Sequence, residues 1–398
     1  MNSFIKIKFL VLFSIFSISV NAQNVLTDNT RVSLITLSPG EEIYSSFGHS
    51  AIWIYDPQLR IDRVYNYGTF DFNDPNFLPK FVRGKLDYFL SVYDSPSLFY
   101  EAQIENRSLI QQTLNLSIAQ KNKIFYFLEK NSLPENRFYK YEFFYDNCST
   151  RIRDAFKNEL GDSLILFPTT NRTKTFRNLI DEYLGNQKWG DFGIDLMLGT
   201  RTDMVAKPYQ YMFLPDYLMW NIDKAKIIIN GKKETLVAEK KVLFKALPVK
   251  TEITFYKEPL FIFWSLFFII ASLTVYQVIN KKYFPLTDVS LFLITGLIGS
   301  LIIFAWFFTD HLATVNNFNL IWANPLNLII AFAFISKQTI KKLNSYFLIY
   351  TVSTSALLIF WVVLPQQLHI SFIPIILTMA LRSGYLFWKN KSANKISI

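Results

Sequence analysis

The sequence predicts an α+β domain in the first half of the chain and a bundle of five membrane-spanning helices in the second. Short runs that alternate apolar and polar residues between positions 31 and 116 indicate strands, and Ile118–Asn131 has the spacing of a helix. Beyond residue 259 the chain consists mainly of long apolar stretches. The preceding residues, 23–225, are numerous enough to form one domain with a hydrophobic core.

Residues 1–22 have the pattern of a secretory signal peptide. Lys6 and Lys8 precede the apolar run Phe9–Val20, and Ala22 offers a small-residue cleavage site before Gln23. The alternative is a retained membrane anchor, although the run is shorter than the ~20 residues of a typical span. We therefore expect residues 23–225 to be exported from the cytoplasm.

Five apolar stretches approach the length that a bilayer requires. They are Leu260–Ile279, Val289–Phe308, Asn319–Ile335, Tyr346–Val363 and Ile370–Trp388. Lysines follow the first, third and fifth stretches, whereas the loops around Asp310 and Gln366 contain neither Lys nor Arg. By the positive-inside rule, the soluble domain lies outside and the C-terminal tail, residues 389–398, lies in the cytoplasm.

Strand and helix signals divide the soluble domain further. The predicted strands are Arg31–Thr36, His49–Tyr55, Arg63–Tyr67, Ser108–Leu116 and Tyr139–Phe144. Ser117 is a predicted N-cap for the helix over Ile118–Asn131, and Asp146 or Asn147 for a helix that reaches about Leu160 and is closed by Gly161.

Residues 226–258 form a predicted basic connector before the membrane domain, which spans 259–388. Asn230-Gly231 is typical of a type I′ hairpin turn. Its lysines suit contact with anionic headgroups, but a solvated spacer explains them equally well.

Composition excludes several function classes. The net charge of +10 comes partly from the predicted cytoplasmic lysines, and no basic recognition helix or zinc pattern indicates a nucleic-acid partner. No phosphate-binding loop and no His-x-x-x-His motif is present, so we expect neither a cofactor nor a metal.

Cys148 is the only cysteine of the chain and is the strongest candidate for chemistry. A lone thiol outside the cytoplasm has no disulfide partner and is at risk of oxidation. The predicted helix start would stabilise its thiolate through the helix dipole. We interpret Cys148 as a nucleophile; the alternative is a buried free cysteine.

A cysteine nucleophile needs a base, and of three histidines only His49 belongs to the soluble domain, because His311 and His369 fall among the apolar stretches. Asn66, on the next predicted strand, is the candidate that orients the imidazole. The backbone N–H of Cys148 can contribute to an oxyanion site. The alternatives are a histidine satisfied at a strand edge and an asparagine at a turn.

Further polar residues are candidates for substrate binding. Those in the soluble domain are Ser46 and Arg151, and those near the outer leaflet are His311, Asn319 and Asn324. Polar groups at membrane depth are costly and often mark a site. The membrane-level residues could receive a lipid headgroup or a lipidated cysteine, although helix packing and loop capping explain them equally well. Ser46 and Arg151 could line the pocket, and the alternative is a structural role for both.

A histidine on a strand that precedes a cysteine at a helix start resembles the circularly permuted papain-like group, which includes lecithin–retinol acyltransferase-like enzymes. Three motifs also resemble the Lnb N-terminal periplasmic domain: Ser46-Phe47-Gly48-His49-Ser50-Ala51, Tyr65-Asn66-Tyr67-Gly68 and Asp146-Asn147-Cys148-Ser149-Thr150. The five C-terminal spans and the loop over 311–326 fit that family as well.

The resemblance implies lipoprotein N-acylation at a bacterial inner membrane, with the catalytic domain in the periplasm. The partners would be a phospholipid acyl donor and a lipoprotein whose diacylglyceryl-cysteine accepts the chain on its α-amine. One alternative is a membrane-anchored papain-like hydrolase of peptide, cell-wall or lipid amide bonds. The other is a non-enzymatic envelope sensor with an inactive papain-like domain.

Overall fold

The computed structural model of the protein describes residues 26–168, 173–248, 254–334 and 336–395, so the predicted signal peptide lies outside the described residues.

In the soluble part the elements are β1 Arg31–Leu37, β2 His49–Asp56, β3 Ile61–Thr69, α1 Phe77–Val82, β4 Asp87–Tyr93, α2 Ser95–Ile104, β5 Leu109–Leu114, α3 Ile118–Ser132, β6 Phe138–Lys140, α4 Cys148–Leu160, β7 Leu164–Ile165, α5 Phe176–Leu184, α6 Lys188–Met197, α7 Pro215–Lys224, β8 Lys226–Ile229, β9 Lys232–Thr235 and β10 Val237–Phe244. In the C-terminal part they are α8 Pro259–Ile279, α9 Pro285–Phe307, α10 Leu326–Ala333, α11 Lys337–Lys342, α12 Asn344–Ile359 and α13 Phe372–Lys395. The mixed α+β class of the first half is confirmed.

Seven antiparallel strands form the central sheet, in the order β10-β5-β1-β2-β3-β4-β6. Helices cover both faces. On one face Leu34 and Ile52 pack with Ile152 of α4, and on the other Ile35 and Ala51 pack with helix α2. Because the sheet is buried on both sides, β1 is apolar or buried along almost its whole length.

The predicted caps of two helices are present. The Ser117 hydroxyl accepts the N–H of Gln120 at the start of α3, and Asn147 caps α4 through the N–H of Thr150. Gly161 ends α4 with a φ of +54°. The predicted strand Tyr139–Phe144 is shorter than expected, because a turn replaces it after Lys140. In that turn the Glu142 carboxylate accepts the N–H groups of residues 144 and 145.

The connector predicted over 226–258 contributes to the soluble domain. Asn230 and Gly231 have φ values of +49° and +77°, so β8 and β9 form the expected hairpin. Strand β10, however, pairs with β5 at the edge of the central sheet. The sheet therefore extends beyond residue 225, and this part of the segment is not a free spacer. Residues 249–253 of the connector lie outside the described residues.

Two helices of the described residues, α8 and α9, are long and apolar enough to cross a membrane. The third predicted span, Asn319–Ile335, is not one continuous helix, because a 3₁₀ turn over Phe318–Ile321 precedes the eight-residue α10. Helix α12 has 16 residues, and α13 has 24 residues that include Arg382. The prediction of five spanning helices thus depends on these three shorter or charge-bearing segments.

A buried ion pair joins three helices of the C-terminal part. Arg382 of α13 and Asp288 of α9 form two hydrogen bonds of 2.8 Å each, and both side chains are fully buried. Arg382 also donates to the Thr274 hydroxyl of α8 at 2.7 Å. A buried charged pair is costly unless its groups are hydrogen-bonded, and here both carboxylate oxygens and all three guanidinium nitrogens are.

The soluble part is docked on loops at the ends of the C-terminal helices. Gly199 donates its N–H to the carbonyl of Ala313 at 2.8 Å, and a β-carbon on Gly199 would lie 2.0 Å from the carbonyl oxygen of Val315. Gln366 donates to the carbonyl of Leu198 at 2.7 Å. These close backbone contacts hold the region after α6 against the membrane domain.

Candidate active site

Cys148 is the first residue of α4, and its side chain is only 5% exposed. The Asn147 side chain fixes the start of the helix, because its amide also donates to the carbonyls of Phe143 and Phe213 at 2.8 Å each. The thiol therefore lies at the positive end of a rigidly held helix dipole, which stabilises a thiolate.

His49 opens β2 directly after a turn that requires glycine. Gly48 has a φ of +77°, and a β-carbon there would lie 2.9 Å from the carbonyl oxygen of Leu37. His49 Nε2 lies 2.6 Å from Asn66 Oδ1, while the Asn66 amide nitrogen donates to the Tyr93 hydroxyl at 3.2 Å. With its oxygen facing the ring, Asn66 accepts a hydrogen bond from the Nε2–H, which leaves Nδ1 for the thiol.

The thiol and the imidazole meet at Gly68. His49 and Asn66 lie on the face of the sheet that packs on α2, whereas α4 packs on the other face. A β-carbon on Gly68 would lie 3.9 Å from both Cys148 Cβ and His49 Cε1, and the residue has a φ of +97°. The register of β3 and β4 also shifts between Asn66 and Thr69. Because β3 is irregular here and Gly68 has no side chain, Cys148 on one face of the sheet can approach His49 on the other.

The Cys148 thiolate and the His49 imidazolium stabilise each other. Burial raises the pKa of Cys148, but the neighbouring His49 charge, its hydrogen bond and the Ser50 N–H together lower it to about 7. Burial also opposes the imidazolium, yet the Cys148 thiolate and the Asn66 hydrogen bond raise the pKa of His49 overall. The arrangement can therefore hold a thiolate near neutral pH.

Three residues near the thiol were not predicted. Besides the Ser50 N–H, the Ser149 hydroxyl lies 3.9 Å from the sulfur and 3.0 Å from the Ser50 hydroxyl. The Tyr141 ring lies 3.6 Å from the β-position of Gly68. Ser50 and Ser149 directly follow His49 and Cys148 in the sequence, and this adjacency could have indicated that they lie near the thiol. Burial raises the pKa of Tyr141 well above that of an ordinary phenol, so its hydroxyl stays protonated.

Ser46 and Arg151, the predicted pocket residues, make other contacts. The Ser46 hydroxyl donates to the carbonyl of Glu42 at 2.9 Å and closes the turn before β2. The Arg151 guanidinium forms two hydrogen bonds with Asp146, at 2.6 and 2.8 Å, and covers the Tyr139 ring at 3.6 Å. Both residues thus make the structural contacts that were the alternative to a role in substrate binding.

The predicted membrane-level residues hold the loops between the two parts. His311 Nε2 lies 3.2 Å from the carbonyl oxygen of Val82. Asn319 donates to the carbonyls of Asp195 and Leu196, at 3.1 and 3.2 Å. Asn324 accepts the N–H of Leu326 at 2.9 Å at the start of α10. Docking and loop capping account for these contacts.

A cluster of carboxylates at the same junction was missed because its members are separated in sequence. Within the described residues, Asp181, Asp191 and Asp195 have ligand atoms within 4.8 Å of one another, which is close enough to share a cation. Arg177 already supplies positive charge by pairing with Asp195, and His369 Nε2 lies 3.4 Å from Asp191. Acidic groups of this kind commonly occur without an ion, and we assign none.

The fold and this site define a protein whose described residues include two helices apolar enough to cross a membrane and an α+β domain that holds a cysteine, a histidine and an asparagine in one hydrogen-bonded arrangement. Residues 20–182 match the model of the Lnb N-terminal periplasmic domain, and residues 250–394 match that of the Lnb transmembrane domain. The chain therefore belongs to the Lnb family. No curated protein and no solved structure gives a significant match. The two domains indicate an inner-membrane protein with a periplasmic domain.

Proposed function

We propose that this protein is a lipoprotein N-acyltransferase that moves an acyl chain from a phospholipid, through a thioester on Cys148, to the α-amine of a diacylglyceryl-cysteine. The observation that carries the proposal is the thiol of Cys148, held at a helix start with its pKa lowered to about 7 beside His49. Asn66 at 2.6 Å from His49 supports a triad of nucleophile, acid–base group and orienting amide. The strand histidine before the helix cysteine also fits a circularly permuted papain-like domain.

In the first half-reaction, the Cys148 thiolate attacks the ester carbonyl of the phospholipid. The S–C bond forms, the ester C–O bond breaks, and the His49 imidazolium gives its proton to the departing glycerol oxygen. The Cys148 N–H at the start of α4 supports an oxyanion site, because the first-turn N–H groups of a helix have no partner within it. The products are a lysophospholipid and an acyl-thioester.

In the second half-reaction, the α-amine of the lipidated cysteine attacks the thioester carbonyl. The N–C bond forms and the S–C bond breaks, while neutral His49 takes a proton from the amine. Thiolate and imidazolium are thereby restored. A thioester is a good acyl donor to an amine, and the burial of Cys148 disfavours competing hydrolysis by water.

The membrane domain supports the proposal, because both substrates of such an enzyme are anchored in a bilayer. We infer five passes, with the lysine-containing loops and the C-terminus in the cytoplasm. This topology puts the docking loops around residues 311–322 and 364–371 on the periplasmic side, under the soluble domain.

The test is mass spectrometry of the N-terminal peptide of a lipoprotein, in cells that lack other N-acyltransferases. We expect a third acyl chain with the intact protein and a free amine with Cys148→Ala. Ser97→Ala, an exposed change at the start of α2, is the matched control and should retain the third chain. A free amine in all three cases would reject the proposal, and release of free fatty acid would indicate a hydrolase.

A further inference from the structure

The segment over 70–82, here called the aromatic arm, follows the active-site strand β3 and contains helix α1. It exposes large apolar side chains: Phe72 is 73% exposed, Leu78 65% and Phe81 48%. Helix α1 buries none of its residues. A contiguous exposed apolar surface of this kind marks a contact with another apolar phase or molecule.

The rings of the arm form a series that continues through Tyr88 and Tyr141 to the neighbourhood of Gly68. Ring centroids are 5.9 Å apart for Phe81 and Phe77, 5.6 Å for Phe77 and Phe70, and 5.3 Å for Phe70 and Tyr88. Tyr88 then stacks on Tyr141 at 4.5 Å. The Tyr141 ring adjoins Gly68, whose β-position lies 3.9 Å from Cys148 Cβ.

The other end of the arm touches the membrane domain. His311 Nε2 lies 3.2 Å from the Val82 carbonyl oxygen, and Asp310 donates its N–H to the carbonyl of Arg83 at 2.9 Å. This loop begins directly after α9, one of the two helices long and apolar enough to cross a membrane. Helix α1 therefore adjoins the loop at the end of α9.

The charge around the arm fits the headgroup region. Arg83 and Lys85 are exposed at the end of α1, whereas Lys80 pairs with Asp74 at 2.7 Å and Lys140 lies 3.8 Å from Asp310. Aromatic and apolar side chains flanked by basic residues are typical of segments that lie in the interface of an anionic membrane.

We propose that the aromatic arm inserts into the outer leaflet of the inner membrane, and that its rings form the surface along which a phospholipid acyl chain reaches Cys148. The occupant is thus the acyl chain of a bilayer phospholipid. Delivery to the thiol rests on the proposed function, whereas insertion of the arm does not.

Insertion is tested without catalysis, because Cys148 is the only cysteine. In a Cys148→Ser background, a nitroxide is attached at Leu78→Cys in nanodiscs of phosphatidylethanolamine and phosphatidylglycerol. The matched control is Leu59→Cys, which is exposed at the turn after β2, at the opposite end of that strand from His49. We expect oxygen to relax the label at 78 more, and a water-soluble nickel complex to relax it less, than at 59. Equal relaxation at both positions would overturn the proposal.

Delivery is tested with the full chain and vesicles of the same lipids. The variant Phe72→Ser/Leu78→Ser/Phe81→Ser should raise the apparent KM for vesicle phospholipid at least about ten-fold. The KM is obtained from the rate of acyl-thioester formation on Cys148 at increasing lipid concentration. The pH midpoint of Cys148 alkylation should stay unchanged, which shows that the thiol–imidazole pair is intact. Leu59→Ser should leave the KM unchanged.

The failures are distinguishable. An unchanged KM in the triple variant would reject the delivery path, even if Cys148 forms the thioester. If no thioester forms on the unaltered protein, the proposed function fails, and the nitroxide result still decides whether the arm inserts.

Discussion

His49 Nε2 lies 2.6 Å from Asn66 Oδ1, and the Asn66 amide nitrogen is itself held by the hydroxyl of Tyr93 at 3.2 Å. This chain of contacts sets which way the amide faces and therefore which imidazole nitrogen bears the proton. Because Nε2 is hydrogen-bonded to Asn66, the ring nitrogen available to Cys148 is Nδ1. The reactivity of the thiol thus depends on a residue that does not touch it.

The pH dependence of thiol reactivity follows from the lowered pKa of Cys148. The thiolate fraction rises as pH increases through the pKa, so alkylation by iodoacetamide should accelerate with a midpoint near pH 7. Replacing His49 by Gln removes the positive charge that favours the thiolate, and burial remains to oppose it, so the midpoint should rise to at least about 8.5, the value of an ordinary thiol. An unchanged midpoint in His49→Gln would show that the imidazole does not activate the thiol.

Loss of the orienting amide should weaken catalysis without removing the nucleophile. In Asn66→Ala, His49 loses its hydrogen bond, which we expect to lower kcat by about ten-fold or more. Asn66→Gln keeps the amide chemistry and tests whether its position matters. Intact-protein mass spectrometry of acyl-thioester formation measures the rate. Full activity in Asn66→Ala would contradict a role for this residue.

A side chain at Gly68 should impair the site. Gly68→Ala adds a methyl group at van der Waals distance, 3.9 Å, from Cys148 Cβ and His49 Cε1, and forces alanine to a φ of +97°, a strained conformation that costs about 1–3 kcal/mol. Acyl transfer and alkylation of Cys148 should both slow. Gly185→Ala is the matched control, because a β-carbon there meets nothing within 4 Å and the φ is −52°. Equal rates in the two variants would count against the close approach at Gly68.

Asp56 should contribute acid-sensitive stability. Burial disfavours its carboxylate, but hydrogen bonds from Thr30, Thr27 and the Leu59 N–H lower its pKa well below the usual range. A carboxyl whose folded pKa is lowered stabilises the protein above its unfolded pKa of about 4, and this contribution is lost as pH falls through the folded pKa.

The change that tests this contribution is Asp56→Asn, which should lower the Tm in detergent by several degrees at pH 7, and by less at pH 3. Asp162→Asn, at an exposed position, is the control and should leave the Tm nearly unchanged at both pH values. A Tm difference for Asp56→Asn that does not shrink with acidity would contradict the assignment.

The ion pair between α9 and α13 should be intolerant of losing one partner. Arg382→Ala leaves the Asp288 carboxylate buried without its counter-charge, which we expect to cost about 3–5 kcal/mol. The double variant Arg382→Met/Asp288→Leu removes both charges and should be more stable than the single variant. Tm in detergent measures the difference. A double variant less stable than Arg382→Ala would contradict this account.

Local signals in the sequence predicted the elements that carry the candidate site. Alternation along β2 and β3 placed His49 and Asn66 on successive strands, and Asp146 or Asn147 marked the start of α4 as a polar N-cap does. These signals suffice because each depends on a few neighbouring residues.

Features that depend on distant contacts were not predicted. The contact of Gly68 with Cys148 joins residues 80 positions apart, and no periodicity indicates the break in β3 that permits it. Strand β10 has an exposed, lysine-containing sequence that is typical of a spacer, yet it completes the sheet at its edge beside β5. At an edge, backbone pairing decides the structure while the side chains stay in water.

The most direct test of the central claim is the mass of the intact protein after incubation with phospholipid vesicles and without an acceptor. We expect an increase equal to one acyl chain, located on Cys148, released by hydroxylamine and absent in Cys148→Ala. Addition of a diacylglyceryl-cysteine peptide should discharge it onto the amine. Transfer of an acyl chain to the peptide by Cys148→Ala would contradict the account.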